Sequence, residues 1–446
     1  MKKLGRSDRS IAEAGSRTFP EKSQVSNRHH RLAGNLVSLY LLQGLNYVIP
    51  IVVLPYLVRV LGMERYGLIA FAQSFAQYFT VLTDYGFNFS ATRSIAQRRD
   101  DQHAVSRIFC SVFLIKLILM CVGAALLAVI VLLIPRFHQS STFFFVAYLA
   151  VIGNVFFPVW YFQGIEKMKH ITVIMGCARL LGMIALFVFV RHPHDALLAL
   201  AIQSLALVVG GIAGIFIAFR RFHVRLVQPT VADLRAAFSD GLHLFISTAA
   251  ITLYTNTNIF LVGLLAGNLE AGYFSAADKL VRAAQGLLNP VTQAVFPHMT
   301  NLAAQSRAIA LRLAQRILRW TGSIAFLASL FIFVLAHPIV NICFGLAANG
   351  SIPVLRWLAA LPFLVAISNV LGVQTMITFG LDKQFSRVLI SAGVVNVVLG
   401  LLLVHLFAAQ GAAASVLCTE CFVTVSMIVV LDRHDIRIFR FQKNLA

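Results

Sequence analysis

The feature that most constrains this chain is its succession of long apolar runs. A helix needs about 20 mostly apolar residues to cross a bilayer, and about twelve such runs can be read from the sequence. Hydrophobic residues make up 59% of the chain and charged residues 12%, whereas soluble domains are about 45–50% apolar and 25% charged. The sequence therefore predicts an all-α integral membrane protein. The predicted spans are residues 34–58, 68–90, 108–134, 142–163, 171–190, 196–219, 241–265, 271–297, 320–342, 353–380, 388–407 and 411–431.

Positive charge is distributed unevenly between the loops that join these runs. Of the 37 Lys and Arg residues, 28 lie on the side of the amino terminus and four on the other side. Cytoplasmic loops are enriched in Lys and Arg, so both termini are predicted to be cytoplasmic. Membrane topology also accounts for most of the formal net charge of +20 and removes the need for a nucleic-acid partner. Residues 1–33 are expected to be a disordered basic tail, and residues 436–446 a second cytoplasmic tail.

The loops on the outer side are too short to hold a catalytic domain. The longest has about ten residues, near 343–352, and the outer side carries no nucleophile with a base, metal-ligand spacing or paired carboxylates. Cys418 and Cys421 form a C-x-x-C, but they lie inside an apolar run, and we interpret the six cysteines as buried hydrophobes. We therefore predict no enzyme activity, no cofactor and no metal. On the inner side, Arg312, Arg316 and Arg319 share one helix face and favour contact with anionic lipids over a protein partner.

An internal repeat relates the two halves of the chain at an offset of 205 residues. With six helices in each half, the repeats would run parallel about an axis along the membrane normal, as in some transporter folds. The sequence thus predicts two six-helix lobes, residues 34–229 and 230–435, around a central cavity. The repeat is the pattern G-x4-G-x4-A at the first outer turn of each half, which matches Gly62 with Gly267, Gly67 with Gly272, and Ala72 with Ala277.

Ionisable residues inside the runs cost about 2.5–3.5 kcal/mol each at a helix centre, so each needs a structural or functional reason. Lys279 and Arg282 are three residues apart and share a helix face, which indicates a water-filled cavity or a bound anion. Snorkelling to the interface accounts for Arg356 and is an alternative for others. The cations within the runs are Lys116, Arg179, Lys279, Arg282 and Arg356, and the acids are Asp84, Asp278 and Glu420.

Three further groups of residues are candidates for a cavity or a gate. The seventh run is unusually polar, and Asn256 and Asn258 in its middle are predicted to line the cavity. Glu420 is either a proton-coupling carboxylate or the partner of a cation, and Asp278 is the acid nearest the paired cations. Asp84 lies near the inner end of the second run, where Gly86 offers a break. We predict that Asp84 is a hinge or inner-gate residue, while Arg93 marks the cytoplasmic surface.

Three segments resemble the O-antigen and polysaccharide flippase family of the multidrug/oligosaccharidyl-lipid/polysaccharide exporter superfamily. The resemblance covers roughly residues 34–435, and its first motif is the most distinctive. It implies a bacterial inner-membrane protein that moves undecaprenyl-diphosphate-linked oligosaccharide to the outer leaflet by alternating access. The segments are "LPYLVRVLGMERYGLIAFAQSFAQYFTVLTDYGFNFSATRSIA", "FSAADKLVRAAQGLLNPVTQAVFP" and "WYFQGIEKM".

The resemblance also implies that cavity cations hold the diphosphate and that an H⁺ or Na⁺ gradient drives the cycle. Arginine suits phosphate through its planar donors. Lys279 and Arg282 are the first candidates for the diphosphate site, followed by Arg179 and Lys116. In the first outer turn, Arg59, Glu64 and Arg65 form either an outer gate through ion pairs or a solvated turn. A monomer is expected, with polysaccharide polymerase or assembly proteins as further partners.

Two alternative functions remain at this stage. A cation-coupled multidrug exporter of the same superfamily would need an acidic cavity, and five cations against three acids within the runs disfavour it. A membrane-embedded glycan polymerase or ligase would need reactive residues on a sizeable outer loop, and the outer loops are short.

Overall fold

A computed structural model describes residues 49–286 and 289–436, together with residues 44 and 438. Within these residues every regular element is a helix. The predicted tail at 1–33 and most of the tail at 436–446 lie outside the described residues, as does the start of the first predicted run. The helices are α1 (Ile49–Leu61), α2 (Met63–Asp84), α3 (Phe87–Gln97), α4 (Gln102–Leu133), α5 (Pro135–His138), α6 (Ser141–Phe156), α7 (Val159–Gly164), α8 (Met168–Phe189), α9 (Ala196–Arg221), α10 (Val231–Leu265), α11 (Asn268–Gly286), α12 (Asn289–Gln305), α13 (Arg307–Val334), α14 (Ala336–Phe344), α15 (Ser351–Leu358), α16 (Leu361–Asn369) and α17 (Asp382–Arg433).

The predicted apolar runs are mostly helical where the structure describes them. Among the described residues, seven helical segments are long and apolar enough to cross a membrane, which confirms a multi-pass helical protein, while the number of twelve crossings stays a prediction. Several runs are broken. The second predicted run was extended to residue 90, but α2 ends at Asp84 because Tyr85 and Gly86 both have positive φ, 42° and 75°. The run 353–380 comprises α15, α16 and a π-helical segment, Val370–Ile377.

Helix ends follow from local side-chain chemistry. Asp101 caps α4 by accepting hydrogen bonds from the backbone N–H groups of His103 and Ala104, at 3.0 and 2.9 Å. Thr230 and Asp233 form a capping box at the start of α10, in which each satisfies a backbone N–H that has no helical partner. We call the ends of the helices that carry most of the Lys and Arg the basic face, and the other ends the opposite face.

The two copies of the glycine repeat meet at the crossing of α2 and α11. A methyl group on Gly67 would lie 2.6 Å from the backbone N of Gly272 and would overlap the carbonyl of Asn268, and one on Gly272 would overlap the carbonyl of Met63. The two helices therefore touch backbone to backbone, which only glycine allows. The third repeat positions, Ala72 and Ala277, are fully buried.

The last two predicted runs are the two limbs of α17. At Ala408 the backbone has φ 50° and ψ −129°, and the chain bends so sharply that Gly411 packs on the backbone of Leu403. The carboxylate of Glu270 accepts a hydrogen bond from the N–H of Ala409 at 3.1 Å, so it caps the second limb. The predicted break between 407 and 411 is confirmed.

Candidate functional site

A central cavity of about 460 Å³ lies where α11 meets the helices of the first half of the chain. Its walls are aliphatic, from residues of α1 such as Val53 and Leu57. Against these walls stand a few polar side chains, an arrangement typical of ligand sites. The polar lining residues are Tyr66, Gln73, Arg179, Gln203, Ser204 and Lys279.

Arg179 and Lys279 lie at a similar depth in this cavity. Arg179 is ten residues from the end of α8 on the opposite face, and Lys279 is eleven residues from the start of α11 on that face, or roughly 15 and 17 Å at 1.5 Å per residue. Both are thus close to the middle of a hydrocarbon layer about 30 Å thick. Lys279 Nζ lies 5.2 Å from the centroid of the Tyr66 ring. Within residues 49–286 and 289–436, neither cation forms an ion pair with a carboxylate.

The remaining polar groups of the central cavity are neutral, and several of them form hydrogen bonds with other side chains. The Gln73 amide donates to the Gln203 carbonyl at 3.2 Å, and the Tyr66 hydroxyl lies 3.2 Å from Ser275 Oγ. The sequence did not single out Gln73 or Gln203, although each is a polar residue within an apolar run. With two cations, two amides and no carboxylate among its lining residues, the cavity is chemically suited to an anion.

Arg282 lines a second cavity, of about 320 Å³, which lies within the second half of the chain. Its Nε donates to Asp278 at 2.6 Å, and its Nη2 donates to the carbonyl of Thr255 at 2.7 Å. The sequence placed Lys279 and Arg282 side by side on one face. In the structure they line different cavities, and Arg282 is balanced by Asp278, which is 6% exposed.

The other predicted cavity residues gather around the second cavity. Glu420 is buried and accepts a hydrogen bond from Ser368 Oγ at 2.6 Å. Asn258 is also buried, and its amide donates to Asn396 at 3.1 Å. Asn256 donates to Thr255 at 3.1 Å but is not one of the lining residues. Two buried carboxylates and one guanidinium therefore share a small polar space.

Lys116 forms an ion pair with Asp84 and lies away from the central cavity. Its Nζ is 2.9 Å from Asp84 Oδ1, and its side chain is only 2% exposed, so it does not snorkel to the interface. The pair lies where α2 ends, directly before the left-handed turn at Tyr85 and Gly86. Lys116 is not a lining residue of the central cavity, so the structure gives no support to its predicted contact with a diphosphate. Asp84 is therefore paired with a basic residue of α4.

On the opposite face, Arg59 links the two halves of the chain by a contact that differs from the expected one. Its Nε donates to the carbonyl of Cys343 at 3.0 Å and its Nη2 to that of Ile342, where a cation is favoured at the carboxyl end of α14. Of the two alternatives for this turn, ion pairs or a solvated turn, the described chain shows no ion pair at Arg59, Glu64 or Arg65.

Arg136 makes a second link between the halves on the opposite face. Its Nη2 donates to the carbonyl of Gly263 at 2.9 Å and to Asn268 Oδ1 at 3.0 Å. The sequence offered one signal for this residue, since Arg136 is one of only four cations on the side where basic residues are rare. Sequence reasoning did not use that signal.

On the basic face, α10 is joined to α2 and α4. Arg107 Nε donates to Asp233 at 2.7 Å, and the Tyr85 ring stacks on Phe238 and Phe245 with centroids 4.4 and 4.9 Å apart. Hydrogen bonds from the Thr230 hydroxyl and backbone N–H, together with Arg107, lower the pKa of the Asp233 carboxyl to about 2. Arg93, the predicted marker of the cytoplasmic surface, is exposed on α3.

The cysteines are less buried than expected. Only Cys110 is buried and Cys343 is intermediate, whereas the other four are exposed on the helix surfaces because an apolar thiol is stable against lipid as well as in a core. In the part of the chain that the structure describes, no group of three His, Cys, Asp or Glu residues could hold a metal ion.

Sequence comparison identifies the family. A model of the family described as "Polysaccharide biosynthesis protein" matches residues 32–303, and the chain is 35% identical over 405 residues to a protein of Escherichia coli (strain K12) named "Putative O-antigen transporter". The chain belongs to the polysaccharide biosynthesis protein family. That match covers 91% of this chain and 98% of the relative. A protein of the same name from Shigella dysenteriae is 29% identical, with 88% and 98% covered. The resemblance in the sequence is confirmed.

Two solved structures have the same fold. An inward-facing multidrug resistance MATE family transporter of the MOP superfamily superimposes with a TM-score of 0.61 at 16% identity, covering 90% of this chain and 100% of that one. The lipid II flippase MurJ in an inward closed conformation gives 0.64 at 10% identity, covering 90% and 87%. The chain is therefore a multi-pass membrane protein with this fold, consistent with a bacterial inner membrane. Its relatives carry transporter names rather than enzyme names, which agrees with the sequence prediction.

Proposed function

We propose that this protein moves undecaprenyl-diphosphate-linked oligosaccharide from the inner to the outer leaflet of the bacterial inner membrane, for O-antigen, capsule or exopolysaccharide synthesis. One observation carries the proposal. Arg179 and Lys279 line one cavity near mid-depth, and within the described residues neither has a carboxylate partner. Uncompensated cations in a membrane interior are costly, and the negative charges of a diphosphate would compensate both. A carrier of cationic drugs would instead need acids in this cavity.

Lys279 keeps the role that the sequence suggested, and Arg179 becomes its partner in place of Arg282. The Arg282 guanidinium is already held by Asp278 and the Thr255 carbonyl, so its replacement would act on the second cavity first. We retain Asp278, Glu420 and Asn258, which line that cavity, together with Asn256, which lies beside it in sequence but does not line it, as candidates for H⁺ or Na⁺ coupling. Carboxyl groups are the side chains that can bind a proton or a monovalent cation, and two of them line this cavity with one guanidinium.

Alternating access would proceed between two lobes, residues 34–229 and 230–435, of six spans each, with the basic face and both termini in the cytoplasm. Opening to the outside would break the contacts of Arg59 and Arg136 with the second half of the chain. Opening to the inside would separate α10 from α2 and α4, where Tyr85 and Arg107 now hold it. Asp84, at the same end of α2, is the proposed inner hinge.

Transport measurements in proteoliposomes, together with complementation of a flippase-null strain, test the proposal. Arg179→Gln and Lys279→Gln should each lower translocation of the lipid-linked oligosaccharide at least about tenfold, because a charge-assisted hydrogen bond contributes about 1.5–3 kcal/mol. Arg179→Lys and Lys279→Arg should retain most activity. Arg316→Gln removes an exposed cation outside the cavity and serves as the matched control. The proposal fails if the double glutamine variant inserts normally and transports at the wild-type rate.

Arg282 provides a second, separable measurement. Arg282→Gln should reduce the amount of folded protein, because it leaves the buried Asp278 carboxylate without its guanidinium. The double variant Asp278→Asn with Arg282→Gln should recover folding. If Arg282→Gln instead folded normally and lost oligosaccharide binding, the diphosphate would have to be assigned to the second cavity.

A further inference from the structure

Two apolar cavities lie end to end along α13, outside both polar cavities. The first, of about 600 Å³, is bounded by α13 and α16 near the basic face, and the second, of about 570 Å³, is bounded by α13, by α15 with the turn that follows it, and by α17 near the opposite face. Phe326 lines both, so the two cavities adjoin at its ring, and we call the pair the α13 groove. On α13 it runs from Arg319 to Phe333, a rise of roughly 21 Å at 1.5 Å per residue.

Each end of the α13 groove is lined by an arginine, and an exposed tryptophan follows each arginine in the sequence. Arg319 lines the basic end and is followed by Trp320, which is 68% exposed, and Arg356 lines the other end beside Trp357, which is 46% exposed. Tryptophan is enriched at the two membrane–water interfaces, and arginine recognises phosphate through planar donors. The groove therefore has a side chain suited to phosphate at each end, with apolar walls between the two ends.

Gly322 lines the α13 groove, and no contact with another described helix requires a glycine there. Glycine inside a helix is destabilising relative to alanine, and its usual reason is the close approach of another element. At Gly322 a methyl group would meet no atom of the described chain within 4 Å. Gly67 and Gly272, by contrast, are forced by backbone contact. The space in front of Gly322 is thus not filled by any other part of the described chain.

We propose that the α13 groove binds anionic glycerophospholipids, one from each leaflet, with their phosphates on Arg319 and Arg356 and their acyl chains meeting at Phe326. A polyisoprenyl chain fits less well, because it carries phosphate at one end only and the groove has an arginine at both ends. From the sequence, Arg356 was explained by snorkelling to the interface. In the proposed complex, its guanidinium binds a lipid phosphate.

The native tryptophans allow a direct test on the full-length protein in vesicles. The chain has three, and Trp160 is 1% exposed, so it contributes a constant background. In Trp357→Phe the lipid-accessible signal comes from Trp320, and in Trp320→Phe it comes from Trp357. Brominated phosphatidylglycerol should quench each signal with an apparent affinity about fivefold above that of brominated phosphatidylcholine, as expected for one basic residue near a membrane surface. Arg319→Gln should abolish this preference at Trp320, and Arg356→Gln at Trp357.

Matched variants separate a groove from diffuse attraction. Arg316→Gln removes an exposed cation on the same helix that does not line the groove, and it should keep the preference. Gly322→Phe fills the groove and should lower quenching by phosphatidylglycerol at Trp320, whereas Ile324→Phe, at a residue that is 52% exposed outside the groove, should not. Circular dichroism and gel filtration verify that each variant is folded. Three results would overturn the proposal. They are equal quenching by both lipids, equal effects of Arg316→Gln and Arg319→Gln, and displacement of the brominated lipid from both tryptophans by undecaprenyl phosphate.

Discussion

Removal of the Asp84 carboxylate should destabilise the protein because it leaves a buried charge without its partner. Lys116 is 2% exposed and Asp84 22%, so Asp84→Asn strands an ammonium group that water hardly reaches. Removing one partner of a buried ion pair costs about 3–5 kcal/mol. We expect the lower end, about 3 kcal/mol, because water reaches the Asp84 side of the pair. Unfolding by SDS from detergent micelles, followed by tryptophan fluorescence, measures this loss.

A double-mutant cycle separates the pair from other effects of the substitutions. Lys116→Met should cost about 2 kcal/mol, since it leaves the less buried carboxylate unpaired, and the double variant should lie within about 1 kcal/mol of the wild type. Asp100→Asn, at an exposed position before α4, controls for the loss of a carboxylate at this face. The reasoning would be refuted if Asp84→Asn unfolded at the wild-type SDS concentration, or if the two single losses simply added.

Three further predictions concern positions that the structure singles out. Gly67→Ala should lower the SDS midpoint and the yield of folded protein strongly, because its methyl group overlaps the α11 backbone, whereas Gly322→Ala should not lower either. Ala408→Gly should stabilise the protein by about 1 kcal/mol, measured by the same titration, because φ of 50° is strained for alanine. The folded-state pKa of Asp233, about 2, lies below the ordinary 3.8, so its stabilising contribution is complete above about pH 4 and is lost between pH 4 and 2. The stability difference between wild type and Asp233→Asn should shrink over that range, and a constant difference would contradict the assignment.

The fold was largely predictable because the bilayer constrains the sequence so strongly. A membrane-spanning helix must present an almost unbroken apolar run, and the predicted runs are mostly helical where they are described. Gly67 and Gly272 could be matched from the sequence because backbone contact tolerates only glycine. The end of α2 was predicted six residues too late, since Phe87 and Phe89 continue the apolar pattern across a turn formed by Tyr85 and Gly86.

The sequence predicted which residues form the site but not which groups they contact. The cost of burying a charge identified Arg179, Lys279 and Arg282 as residues that need a compensating contact. Which neighbour makes that contact depends on how helices far apart in sequence pack. The contact of Arg59 with Cys343 spans 284 residues. Its acceptor is a backbone carbonyl, which every residue has, so the residue type does not reveal it. Spacing within one helix suggested that Lys279 and Arg282 act together, but a difference of 60° around the helix axis is enough to direct them into different cavities.

This divergence on α11 gives the proposed transport cycle a simple mechanical basis. Lys279 belongs to the central cavity, and one turn later Arg282 is held by Asp278 in the second cavity, where Glu420 also lies. A helix with intact backbone hydrogen bonds moves as a rigid body over one turn, so a shift of α11 that follows neutralisation of Asp278 or Glu420 must also displace Lys279. Because α11 crosses α2 in backbone contact at Gly67 and Gly272, the same shift acts on the contact between the two halves of the chain.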